Sequence, residues 1–199
     1  MSNRKRVLAA ASVTAVLSLA AGSASAQVAT GPWTSYSPSY SIQERGCGDV
    51  NGGLFTLSCS DASGDQRAER RYVTYSSGSR QFEGYVRVNS LGGTRISLKQ
   101  TFDESNAGPF YMIAVEKGGR LYAVHGGTTI GSLPVGSTVR INTVHYTGSD
   151  KLVVYINGTN KNTAYGSGSR YYDKLGAYRT SSGQGPVSVS WSSVRFWYK

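Results

Sequence analysis

The sequence is short of acids. Its 11 Asp and Glu stand against 21 Lys and Arg, a formal net charge of +10. A retaining glycosidase needs two carboxylates about 5 Å apart. Here no E-x-D-x-x-E spacing occurs, and the adjacent Asp103 and Glu104 would point to opposite faces of a strand. Histidine is scarcer still, with only His125 and His145. The two cysteines, Cys47 and Cys59, have no histidine near them and form no C-x-x-C pair, so neither a zinc site nor a redox dithiol is written in the chain. We expect no metal and no cofactor. A G-x-S-x-G elbow is also missing, which argues against a serine hydrolase. Beyond residue 26 no apolar run is long enough to cross a bilayer, and no segment holds a 3.6-residue period.

The N-terminus carries what the rest lacks. Arg4, Lys5 and Arg6 precede an apolar run from Val7 to Ala21, and Ala24-Ser25-Ala26 stands before Gln27. That order describes a secretory signal over residues 1–26, cleaved after Ala26. The expectation is therefore an exported protein, free of the membrane once processed. In that setting a cysteine pair twelve positions apart reads as one disulfide. Cleavage removes three basic residues and no acidic one, so the surplus of positive charge persists. It favours an anionic partner.

Residues 27–40, rich in Ser, Pro and Tyr, read as an irregular lead-in. From 41 to 199 short β-rich runs alternate with Gly, Asn and Ser turns, as in an antiparallel all-β sandwich or barrel of one domain. Strands are expected at Leu54–Cys59, Arg67–Tyr75, Arg80–Asn89, Thr94–Phe102, Phe110–Lys117, Arg120–His125, Thr138–Tyr146, Lys151–Asn157, Lys161–Tyr165, Lys174–Arg179 and Val187–Tyr198. Gly118-Gly119 and Asn157-Gly158 mark two tight hairpins, since both pairs supply positive φ.

Alternation along a strand decides which side chains act together. Arg67, Glu69 and Arg71 share a face, a carboxylate between two guanidiniums that can hold an arginine rigid for a bidentate grip on an acid. Leu98, Gln100 and Phe102 share a face by the same count, with Gln100 the polar exception and Lys99 beside it. Tyr172, Lys174, Gly176 and Tyr178 line another, with Gly176 leaving space between the lysine and the last tyrosine. Two phenols and an amine around a gap suit proton transfer on an anionic substrate.

Together these stretches resemble the alginate lyases of polysaccharide lyase family 7, whose R-x-E-x-R, Q-I-H and Y-F-K-x-G-x-Y strands follow in that order. The matching segments are Arg67-Ala68-Glu69-Arg70-Arg71, Gln100-Thr101-Phe102 and Tyr172-Asp173-Lys174-Leu175-Gly176-Ala177-Tyr178. The resemblance implies a concanavalin A-like jelly-roll β-sandwich, monomeric, without cofactor. It further implies β-elimination on an acidic polysaccharide. Arg67 or Arg71 and Gln100 would neutralise the uronate carboxylate, and Tyr178 would transfer the proton. Lys174 would bind substrate and favour the tyrosinate, with Tyr172, Glu69, Lys99, His125 and His145 as further substrate-binding candidates. The family's histidine falls on Phe102, which cannot carry a proton. That departure points to altered specificity, to a related polyuronate lyase such as glucuronan lyase, or to a groove that binds anionic polysaccharide without cutting it. Nucleic acid fits less well, because the acid in R-x-E-x-R would repel phosphate.

Overall fold

The computed structural model describes residues 28–59, 65–179 and 185–199. The segment read as a signal, 1–26, lies outside them. Among the described residues fifteen strands form: β1 Thr34–Tyr36, β2 Tyr40–Arg45, β3 Gly48–Asn51, β4 Leu54–Leu57, β5 Gln66–Tyr72, β6 Arg80–Leu91, β7 Arg95–Asp103, β8 Gly108–Glu116, β9 Arg120–Ala123, β10 Thr129–Ser132, β11 Thr138–Tyr146, β12 Lys151–Ile156, β13 Thr159–Tyr165, β14 Tyr171–Arg179 and β15 Val187–Tyr198. Every pairing is antiparallel.

The strands make two sheets. One runs β13-β12-β11-β6-β15-β4-β3 with β1 paired to β15, and the other runs β10-β9-β8-β7-β14-β5-β2. Alternation builds the core between them. On β15, Val187, Val189 and Trp191 turn inward while Ser188 and Ser190 turn out, and on β12 Leu152, Val154 and Ile156 do the same. Phe55, Phe82, Ile96, Leu98, Ile113, Ile141 and Leu175 complete one contiguous apolar cluster. Each such side chain contributes about 1.5–3 kcal/mol on burial.

Both expected hairpins form. Gly118 and Gly119 take φ of 103° and 91° between β8 and β9, and Asn157 and Gly158 take 51° and 82° between β12 and β13. Cys47 and Cys59 are bonded as a disulfide. The eleven expected strands are present, with small shifts at their ends. Four more were not read from the sequence: β1, β2, β3 and β10. The stretch read as irregular thus contains a strand, β1, which joins the end of β15. For function the decisive feature is that β14, late in the chain, inserts between β5 and β7. This brings the three motif strands side by side.

Candidate functional site

Register fixes which motif residues meet. Tyr178 pairs with Arg67 on β5 and with Ser97 on β7, and Lys174 pairs with Arg71 and Gln100. Gln100 continues that row to Met112 on β8. The side chains of Arg67, Ser97, Gln100, Lys174 and Tyr178 open into a cavity of about 230 Å³ on the face turned away from the core. Arg95, Phe102, Pro109, Met112, Val124 and Arg179 complete its wall. It therefore has a basic and amide side, an apolar side, and one phenol.

Glu69 organises the polar side. It is almost wholly buried. Its Oε1 accepts a 2.6 Å hydrogen bond from Gln100 Nε2, while Oε2 lies 3.3 Å from Arg67 Nε and 3.6 Å from Lys174 Nζ. Burial pushes the Glu69 carboxyl up, against the pull of Lys174, Arg67 and the Gln100 hydrogen bond. One carboxylate thus sets the positions of a guanidinium, an amide and an amine. Gln100 keeps a second N–H for a ligand. Glu69 is itself hidden from solvent and acts on the site through the groups it holds.

The same burial acts on the lysine. Lys174 is held below the ordinary lysine range chiefly by desolvation, with Arg67 and Arg71 adding to the shift and Glu69 opposing it. Its Nζ lies 5.7 Å from the Phe102 ring centroid and 5.8 Å from that of Tyr172. Tyr178 is pushed the other way. Desolvation comes first, then the charge of Asp65, to which its hydroxyl donates at 3.3 Å; the Arg67 guanidinium, 4.8 Å from the ring centroid, pulls back. The phenol therefore rests protonated. The expected support of a tyrosinate by Lys174 thus meets a hydroxyl whose hydrogen-bond partner among the described residues is Asp65.

Several expected residues stand elsewhere. Arg71 is outside the cavity. Its guanidinium lies 4.0 Å from the Tyr172 ring centroid and binds Glu104 at 2.9 Å. Tyr172 in turn stacks on Phe102, centroids 4.9 Å apart and planes 13° from parallel, so it backs the wall instead of lining it. Lys99 is buried in the sandwich, bound to Asp173 and 4.8 Å from the Phe82 ring centroid. The cause is a register shift between Ser97 and Lys99. This bulge sends both Leu98 and Lys99 inward, so Gln100 and Phe102 share the cavity face with Arg95 and Ser97, not with Leu98.

Neither histidine enters. His145 is buried between the sheets, its Nδ1 3.0 Å from the Tyr75 hydroxyl and its Nε2 3.2 Å from Asp150, and burial lowers its pKa. His125 is exposed, in the turn after β9 next to Val124. Gly176 does not leave open space. At φ +146° it follows the bulged backbone, and a Cβ there would stand 2.2 Å from the Ala68 carbonyl oxygen. Sequence reasoning missed Asp65, Ser97, Arg95, Arg179 and the apolar wall. Arg95 and Ser97 share a strand face with each other and were within reach of period-two counting. Pro109 and Met112 come from β8 and Val124 from the segment after β9, and they carry no local signal. Among the described residues no three His, Cys, Asp or Glu side chains converge as metal ligands.

No family model matches the sequence, and no curated protein matches it. Solved structures do match. The alginate lyase AlgAT5 of polysaccharide lyase family 7 superposes with a TM-score of 0.62 at 20% identity, over 79% of this chain and 85% of that one. An alginate lyase from Corynebacterium gives 0.63 at 18%, over 76% and 81%. One from Pseudomonas aeruginosa gives 0.60 at 18%, over 79% and 88%. The chain has the jelly-roll sandwich of family 7 lyases.

Proposed function

We propose that this chain, built on the fold of family 7 lyases, is a secreted polysaccharide lyase that cleaves an acidic, uronic-acid polymer by β-elimination. One observation carries the reading: three motifs far apart in sequence deliver Arg67, Gln100, Lys174 and Tyr178 to one cavity. A sugar carboxylate seated there meets the Arg67 guanidinium and the free N–H of Gln100. Neutralised, it stabilises the charge that develops when the neighbouring C5 loses its proton. Tyr178, protonated and facing the cavity, supplies a proton to the departing O4. The substrate is a polyuronate of the alginate or glucuronan type.

Phe102 favours a second reading, because the position offers no proton carrier. In that reading the same basic groove holds an anionic polysaccharide without cleaving it. One experiment separates the two. The protein is incubated with alginate and with polyglucuronate while ultraviolet absorbance is followed, since elimination creates a conjugated C4–C5 double bond and binding does not. Absorbance should rise with the native chain and fall at least about a hundred-fold in rate with Tyr178→Phe, circular dichroism being unchanged. A flat trace from the native protein on every polyuronate, with retained binding, would select the binding reading.

A further inference from the structure

Two proton movements are needed, one away from C5 and one toward O4, and the cavity wall limits who performs them. Among the described residues its ionisable groups are three guanidiniums (Arg67, Arg95 and Arg179), the Lys174 amine and the Tyr178 phenol. Guanidiniums stay charged at any working pH and cannot act as bases. Both histidines lie elsewhere, His145 with both ring nitrogens engaged in the sandwich interior. Among the described residues that line the cavity, only the amine and the phenol remain.

Building on the lyase reading, we propose that Lys174 is the catalytic base that removes the C5 proton and Tyr178 the acid that protonates O4. The geometry suits this division. Lys174 is 4% exposed, yet its side chain lines the cavity. The groups around it are Glu69, Arg67 and Arg71 from β5, Gln100 and Phe102 from β7, and Tyr172 from its own strand, with Tyr178 on the wall of the same cavity. Burial and two guanidiniums work against the charged form of the amine, and one carboxylate partner works for it. The phenol, held by Asp65, keeps its proton. Environments that push two groups of one cavity in opposite directions mark an acid and a base.

In the step, the Lys174 nitrogen takes the C5 hydrogen. The electrons of that bond pass into the neutralised carboxylate system and then form the C4–C5 double bond as C4–O4 breaks. The Tyr178 hydroxyl proton goes to O4. The resulting ammonium gives up one proton to solvent and the phenolate regains one, which restores the site.

The test uses Lys174→Arg and Lys174→Ala in the full mature chain, folding being checked by circular dichroism. Lys174→Arg keeps a basic side chain of similar length but cannot give up its proton to act as a base, so kcat should fall about a hundred-fold or more while KM stays within a few-fold. Lys174→Ala should be equally slow, and added methylamine should restore part of kcat in proportion to its unprotonated fraction. If folded Lys174→Arg keeps most of its kcat, or folded Lys174→Ala gains nothing from methylamine, the assignment is wrong and Tyr178 serves as base as well as acid. An inactive native chain would instead overturn the lyase reading beneath it.

Discussion

At the scale of single residues, the site depends on how burial divides one set of polar groups. Glu69 and Lys174 are both drawn toward neutrality by desolvation, and Tyr178 is kept protonated by burial and by Asp65. A nearby negative charge disfavours phenolate and raises the phenol's pKa; removing it lets the proton leave at lower pH. In Asp65→Asn the alkaline limb of the kcat profile, where the acid is lost, should therefore move toward lower pH. A limb that stays in place or moves to higher pH would contradict the role given to Asp65. The sequence made Arg67, Gln100, Lys174 and Tyr178 legible because each sits in a recognisable strand motif. It did not show Asp65, which lies outside those motifs, and it could not distinguish Arg67 from Arg71. Both face the same way on β5, and only the packing of Glu104 and Tyr172 draws Arg71 aside.

At the scale of elements, strand alternation was legible wherever a strand stayed regular. β15, with apolar side chains alternating with serines, could be read directly. The count failed at the β7 bulge, which turned Lys99 inward and joined Gln100 to Arg95 and Ser97 on the cavity face. Bulges arise from how strands pair, so a strand read alone does not announce them. β2 escaped notice for another reason. As an edge strand it leaves Tyr40 and Ile42 exposed and has no buried face to imprint a pattern. Gly176 makes the bulge in β14 testable. With φ of +146° and the Ala68 carbonyl oxygen 2.2 Å from a built Cβ, Gly176→Ala forces backbone to move. It should lower the unfolding free energy by about 3 kcal/mol or more, read as a fall in the urea midpoint. An unchanged midpoint would show that the strand can shift at no cost.

At the scale of the whole molecule, the sandwich is what brings distant parts of the sequence to one place. β14 reaches its slot between β5 and β7 only after most of the chain has been laid down, and the cavity exists only once all three are paired. The order of motifs hinted at this arrangement, but the apolar wall from β8 and the segment after β9 depends on sheet order, which alternation alone does not encode. The account stands on a bond being broken by elimination rather than by water. The most direct test digests the polyuronate in water labelled with heavy oxygen and weighs the fragments. The account predicts new chain ends that carry a C4–C5 double bond and no label. Saturated non-reducing ends, with one water and its heavy oxygen taken up for each bond cut, would mean hydrolysis and would contradict it.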